Sequence, residues 1–160
     1  MFGLDIITYK SEYKEQVISL ILNIQNNEAH INLPLCEQPD LSNIEHCYRD
    51  KGGEFWIAVE NGKVIGTIGF MACENNCGIL KKFFVKSAYR SQKIGLSLYL
   101  KLIEFAKSKG IKHIILDTPS VAKVSHKFYE KAGFYKISKE DLPIEYNYVD
   151  RNSILYILNL

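Results

Sequence analysis

Residues 83 to 110 read FFVKSAYRSQKIGLSLYLKLIEFAKSKG, and the residue types able to do chemistry sit in the middle of that span. The apolar run Phe83, Phe84, Val85 gives way to a polar knot around Arg90, and apolar spacing at Ile94, Leu98, Leu102 and Phe105 then announces a helix. A helix N-terminus exposes N–H groups that have no partner inside the helix, and the aligned peptide dipoles add positive potential there. The backbone amides of Ser91, Gln92, Lys93, Ile94 and Gly95 would therefore face an oxyanion, with the side chains of Arg90 and Lys93 supplying cations around the same point. Gly95, having no Cβ, would let the backbone approach a bulky ligand. This is chemistry for a phosphate. Neither GxxxxGK[ST] nor GxGxxG occurs, so it is not that of a P-loop or of a dinucleotide fingerprint.

The elements that must position this junction follow from periodicity and turn residues. Residues 4 to 9 suit a first strand, and Ser11 is placed to cap a helix with Val17, Ile18, Ile21 and Leu22 on its buried stripe. A short second helix is expected after Asp40, with Leu41, Ile44 and Tyr48 on one face and a stop at Gly52-Gly53. EFWIAVE and KVIGTIGFM flank Asn61-Gly62, the dipeptide of a tight two-residue hairpin, and after a CENNC tip residues 78 to 85 add a third antiparallel strand. The helix of the opening stretch ends at Lys109-Gly110, and IKHIILDT is a continuously apolar strand of the buried, parallel kind. Residues 120 to 132 suit another helix, with Ala122, Phe128, Tyr129 and Ala132 inward and Gly133 as its left-handed stop. A short strand at 134 to 137 and the apolar SILYILNL complete an α/β domain, its sheet expected to be antiparallel first and parallel in its second half.

Bulk properties narrow the function. At 160 residues, 47% apolar and 24% charged, the chain suits a single globular domain spanning 1–160. Twenty basic against eighteen acidic residues leave a net charge of +2, too little to hold a nucleic acid by its overall field. The N-terminal MFGLDIITYK lacks a secretory pattern and no window of about 18 apolar residues exists, so no membrane association and a cytoplasmic location are expected. In that compartment Cys36, Cys47, Cys73 and Cys77 are expected as free thiols, and Cys73 with Cys77 has no second ligand pair to make a zinc site, so no metal is expected.

YRSQKIG resembles motif A of the GCN5-related N-acetyltransferase family, in which an Arg or Gln, two residues, Gly, one residue and Gly or Ala follow a strand with an apolar end. Arg90 fills the first position and Gly95 the last, while Lys93 stands where the first glycine is usual. FYEKAGF, residues 128 to 134, is similar to motif B, in which a helix carrying a tyrosine ends at Gly-Phe. The order of elements also agrees along nearly the whole chain. The resemblance implies the acyl-CoA N-acyltransferase fold: one α/β domain with a mixed, mainly antiparallel sheet splayed between two parallel strands and flanked by helices. It implies acetyl-CoA as co-substrate, its pantetheine arm lying between strands 79–85 and 111–117, its carrier held by Phe83, Phe84, Val85, Arg90, Ser91, Gln92, Lys93, Ile94, Gly95 and Leu96. On the same resemblance the Val85 amide is the oxyanion donor and Tyr129 the general acid.

The general base is less visible, because GILKKFFV contains no carboxylate where many family members place a glutamate. Glu28 at the end of the first helix, Asp117 at the end of a central strand, His126 one turn before Tyr129, and a water chain all qualify, whereas nothing singles out His30 or His113. The acceptor side is expected from residues 25 to 40, the hairpin tip and the loop DLPIEYNYVDR, with Tyr146 and Tyr148 as possible walls. Glu28, Glu37, Asp40 and Glu145 there suit a cationic small-molecule or peptide amine. SILYILNL would serve as the pairing edge of a homodimer. A module that binds acyl-CoA without turnover is the alternative to an enzyme.

Overall fold

The computed structural model describes residues 3–150 and 152–160; Met1 and Phe2 of the first stretch and Arg151 of the DLPIEYNYVDR loop lie outside them. Seven strands form one sheet: β1 (Leu4–Thr8), β2 (Glu54–Glu60), β3 (Lys63–Ala72), β4 (Cys77–Val85), β5 (His113–Pro119), β6 (Tyr135–Lys136) and β7 (Ser153–Asn159). Their spatial order is β1-β2-β3-β4-β5-β7-β6. The alternation of β2 sorts its buried run between two cores. Phe55, Ile57 and Val59 meet Val17, Leu20 and Ile21 of helix α1 (Lys14–Leu22) and Ile44 of α2 (Ile44–Cys47). Trp56 and Ala58 meet Leu98, Tyr99 and Leu102 of α3 (Ile94–Ser108) on the opposite face, where α4 (Lys123–Lys131) also packs.

Asn61 and Gly62 both take positive φ, 51° and 80°, and pair Glu60 with Lys63 as a tight hairpin requires. Asn75 and Asn76 do the same for the cysteine-flanked tip, where the Cys73 N–H donates to the Cys77 carbonyl at 2.9 Å. All four cysteines are free thiols. No helix among the described residues is long and apolar enough to cross a membrane.

Four local expectations need correction. Ser11 opens a 3-10 turn (Ser11–Tyr13) ahead of α1 and its side chain caps nothing. The buried stripe of α1 is Val17, Leu20 and Ile21, and the helix runs on into a wide π turn over Asn23–Glu28. The segment after Asp40 is split: a 3-10 turn (Pro39–Ser42) precedes α2, whose cap is Asn43, accepting the His46 N–H at 3.2 Å. Pro119 still belongs to β5, so α4 begins three residues later than its apolar spacing suggests.

The larger correction concerns pairing. Only β4 and β5 run parallel; β7 inserts antiparallel between β5 and β6. SILYILNL is therefore no free edge, since β6 pairs with Ile157 and Tyr156 and the Ile137 N–H reaches the Leu155 carbonyl. β4 and β5 themselves pair only over Cys77–Ile79 and His113–Ile115 before they part. Beyond Ile79, β4 is bonded to β3 alone, and the opening positions the site.

Candidate active site between the parted strands

Strand polarity at the end of β4 decides what its open margin offers. The Lys86 N–H donates to the Ile65 carbonyl at 2.8 Å, so the adjacent pair Val85↔Gly66 is the non-hydrogen-bonded kind of an antiparallel ladder. The N–H and C=O of Val85 consequently point away from β3, toward the gap. There the Val85 carbonyl accepts Arg90 Nε–H at 2.8 Å, and its N–H has no acceptor among the described residues.

A 3-10 turn (Ser87–Tyr89) leads to the start of α3, whose N-cap is Lys93 at φ 61°, ψ 21°. This is the left-handed region that glycine enters freely and other residues enter at a cost of order 1 kcal/mol. The backbone demand that explains a glycine in the family motif is thus met here by a lysine. No side chain caps α3. The N–H groups of Ile94, Gly95 and Leu96, in its first turn, have no acceptor among the described residues. Ser91, Gln92, Lys93 and Leu96 are exposed around them, while Ile94 is buried and anchors the helix.

Two of the predicted residues have contacts within the protein that bear on their roles. A Cβ on Gly95 would meet Phe83 Cζ at 3.5 Å and Val85 Cγ2 at 3.6 Å, ordinary contact distances, so there is room beside β4 for a methyl group and little more. Alanine fits at that distance. Gly95→Ala should hold or raise the melting temperature, whereas Gly95→Leu should lower it by about 5 °C through overpacking against Phe83; an equal drop for both in a thermal melt would refute this account of the position. Glu28, expected beside the acceptor, instead accepts Arg90 Nη2–H at 2.7 Å, which ties the π turn to the loop before α3. Arg90 retains further N–H donors beyond these two bonds.

Tyr129 is fixed by the end of its helix. Gly133, at φ 104°, lets the Phe134 N–H reach the Tyr129 carbonyl (3.0 Å) and the Gly133 N–H reach the Glu130 carbonyl (3.1 Å). These are the two bonds of a Schellman stop, and the Phe134 ring closes it against Tyr129 at 5.6 Å. The spacing of FYEKAGF is therefore the spacing of this stop. The Tyr129 ring lies 6.3 Å from Phe83 of β4, and the charge of Asp117 on β5 acts on its hydroxyl, so it faces the gap from between the two strands. Tyr129 is 6% exposed, and among the described residues its hydroxyl has no hydrogen-bond partner. Burial first, and then Asp117 and Tyr99, push the phenol well above its ordinary value.

The other base candidates separate cleanly. His126 is buried, and its Nε2 lies 2.9 Å from the Pro119 carbonyl; a carbonyl only accepts, so that nitrogen carries the proton and the ring is a clamp on the end of β5. Asp117 Oδ1 accepts the hydroxyl of buried Tyr146. Tyr146 stacks near Tyr148 at 5.1 Å, and Tyr148 joins Glu37, Asp40, Met71, Cys73 and Lys81 in lining a cleft of about 620 Å³. Among the described residues no cluster of three His, Cys, Asp or Glu side chains is placed to hold a metal ion.

A buried polar network around Lys82 was not foreseen. The available signal was KK inside the otherwise apolar strand GILKKFFV, two charges where an inner strand has little room for either.

This architecture is shared with known proteins. A family model described as "Acetyltransferase (GNAT) family" matches residues 19–134. A GNAT-family acetyltransferase of Staphylococcus aureus Mu50 is 40% identical and superposes with a TM-score of 0.94 over 98% of this chain and 99% of that one. The PaiA N-acetyltransferase of Thermoplasma acidophilum, solved in complex with coenzyme A, shares the fold at 20% identity, with a TM-score of 0.77 over 99% of each chain. Among curated proteins, N-acetylaspartate synthetase of Xenopus tropicalis is 38% identical over 97 residues, 59% of this chain; the match spans 36% of that protein's length. With that family model matching well over half of the chain, residues 19–134, the chain belongs to the acetyltransferase (GNAT) family.

Proposed function

We propose that the protein transfers the acetyl group of acetyl-CoA to a primary amine of a small molecule or peptide by direct attack. The observation that carries this reading is the opening of the sheet after Ile79 and Ile115, around which a free Val85 amide, three free amides of α3 and the Tyr129 hydroxyl converge. The margin of β4 from Phe83 to Val85 would take the pantetheine arm as an added strand, and the first turn of α3 with Arg90 and Lys93 would take the diphosphate. Acetyl-CoA would bring an activated thioester. The Val85 N–H would stabilise the oxyanion formed on attack.

As the C–N bond forms and the C–S bond breaks, Asp117 receives the proton of the amine and Tyr129 gives one to the departing thiolate. Phenol and alkyl thiol have similar ordinary pKa values, roughly 10 and 8.5 to 9.5, which favours this transfer. Burial lifts Tyr129 above that value. The thiolate leaves in the same dry gap, where desolvation lifts its own pKa in the same direction, so the match is retained. Glu28 acts on Arg90 and not on the amine.

A thiol-release screen with purified protein, acetyl-CoA and a chemically diverse panel of amines tests the reading. Release above the hydrolytic background with at least one amine is expected. Binding of acetyl-CoA without release across the panel would leave a CoA-binding module in its place.

A further inference from the structure

Lys82 occupies a place where a sheet is least suited to hold a charge. Between Thr67↔Phe84 and Gly69↔Lys81 the register of β3 and β4 slips, and two residues of β4 oppose one of β3. Lys82 stands in this bulge at φ 54°, its carbonyl held by the Thr67 hydroxyl at 2.7 Å. A bulge re-aims a side chain. Here it turns an ammonium inward, and the side chain is only 9% exposed.

The surroundings of that ammonium are unusual. Among the described residues its one hydrogen bond runs to Gln38 Oε1 at 2.6 Å, and Gln38 is itself locked by a reciprocal amide pair with Gln25 (2.8 and 3.0 Å) and by the Leu33 carbonyl. The nearest carboxylate oxygen, Oδ2 of Asp40, is 3.9 Å away and already accepts the Tyr48 hydroxyl at 2.6 Å. Asp117, whose field also reaches Lys82, is engaged by Tyr146. Each carboxylate thus has a phenol, while the cation has one neutral amide and two N–H donors to spare. Burial pushes Lys82 down to about 8, against the opposing pull of Asp40, so it remains mostly charged at neutral pH. A buried ion without a hydrogen-bonded counter-ion is costly and is the kind of group that awaits a ligand.

We infer that the Lys82 ammonium docks a carboxylate of the acceptor, which makes the acceptor an amino acid or another amine bearing an acid group. This rests on the acetyl-transfer reading and adds a specificity determinant to it. Lys82 lies three residues, about 10 Å, from the Val85 amide along the same strand, and across the gap from Asp117, so an amine held at one point can have its carboxylate held at the other.

The test compares matched acceptors with wild type and with Lys82→Met: amino acids, their carboxamides, simple alkylamines and diamines. Wild type should favour a carboxylate over its carboxamide by 10-fold or more in kcat/KM. Lys82→Met should raise KM for the carboxylate acceptor at least 10-fold and erase the preference, with the KM for acetyl-CoA unchanged and the melting temperature held or raised. A preference of wild type for diamines or carboxamides overturns the inference, as does an equal loss on every acceptor, which would mean that Lys82 merely fastens residues 25–40 to β4. If no amine releases thiol, the transfer reading fails on its own account. Docking is then read by thermal shift with coenzyme A present, where N-acetylglycine should protect wild type more than N-acetylglycinamide and should lose that advantage in Lys82→Met; equal protection by both would refute it.

Discussion

Tyr129→Phe should lower kcat by about 100- to 1,000-fold and leave acetyl-CoA affinity unchanged, the range expected when a positioned general acid is removed. The variant isolates the proton. Phenylalanine keeps the ring contacts to Phe83, Phe134 and Tyr156, and the helix stop that fixes residue 129 is made by backbone groups and Gly133. The lost hydroxyl leaves no partner orphaned among the described residues, so stability should hold. Steady-state kinetics with equilibrium binding of acetyl-CoA checks the split; a fall in binding that matches the fall in rate would make Tyr129 a packing residue. Its raised pKa also has a sign. The contribution of the protonated phenol is fully present below its ordinary value of about 10 and is lost as pH climbs from there toward the folded value, so Tyr129 stays protonated throughout the neutral range.

Asp117→Asn should cost about 100-fold in kcat/KM at neutral pH, again without loss of acetyl-CoA binding. The amide is isosteric and its oxygen still accepts the Tyr146 hydroxyl, so the wall of the acceptor side should stand. What disappears is the one carboxylate that acts on Tyr129 from across the gap, Glu28 being paired with Arg90 and the proton-bearing Nε2 of His126 with Pro119. The deficit should shrink as pH rises, because hydroxide then takes over the removal of the proton that the amine sheds on becoming an amide. A deficit constant from pH 7 to 10, measured with one amine, would argue that Asp117 only orients Tyr146.

Much of the site was legible because it is written in local chemistry. Asn61-Gly62 and the Gly133-Phe134 stop are backbone demands that a few adjacent residues declare, and the strand-to-helix junction at Arg90 to Gly95 is of the same kind. What escaped depends on residues far apart in the chain. The insertion of β7 between β5 and β6 leaves no trace in the period of SILYILNL, which is apolar either way. The cap at Ser11 failed because the chain enters α1 through a 3-10 turn, flanked by Tyr9 and Tyr13 packed in the core with strand β2. The bulge at Lys82 is set by the register against Thr67 and Gly69, and Glu28 found Arg90 across 62 positions of sequence.

Among the described residues, the strands β1 to β4 and the strands β5 to β7 are seamed by three residue pairs, Cys77 with His113, Gly78 with Ile114 and Ile79 with Ile115. A sheet stitched at one end and unbuttoned at the other is a wedge, and whatever guest lies along its unfastened hem becomes part of the fabric. Cargo and scaffold then share one set of main-chain bonds, so a guest that loads the protein also tightens it, and the more so the further its concentration exceeds its dissociation constant.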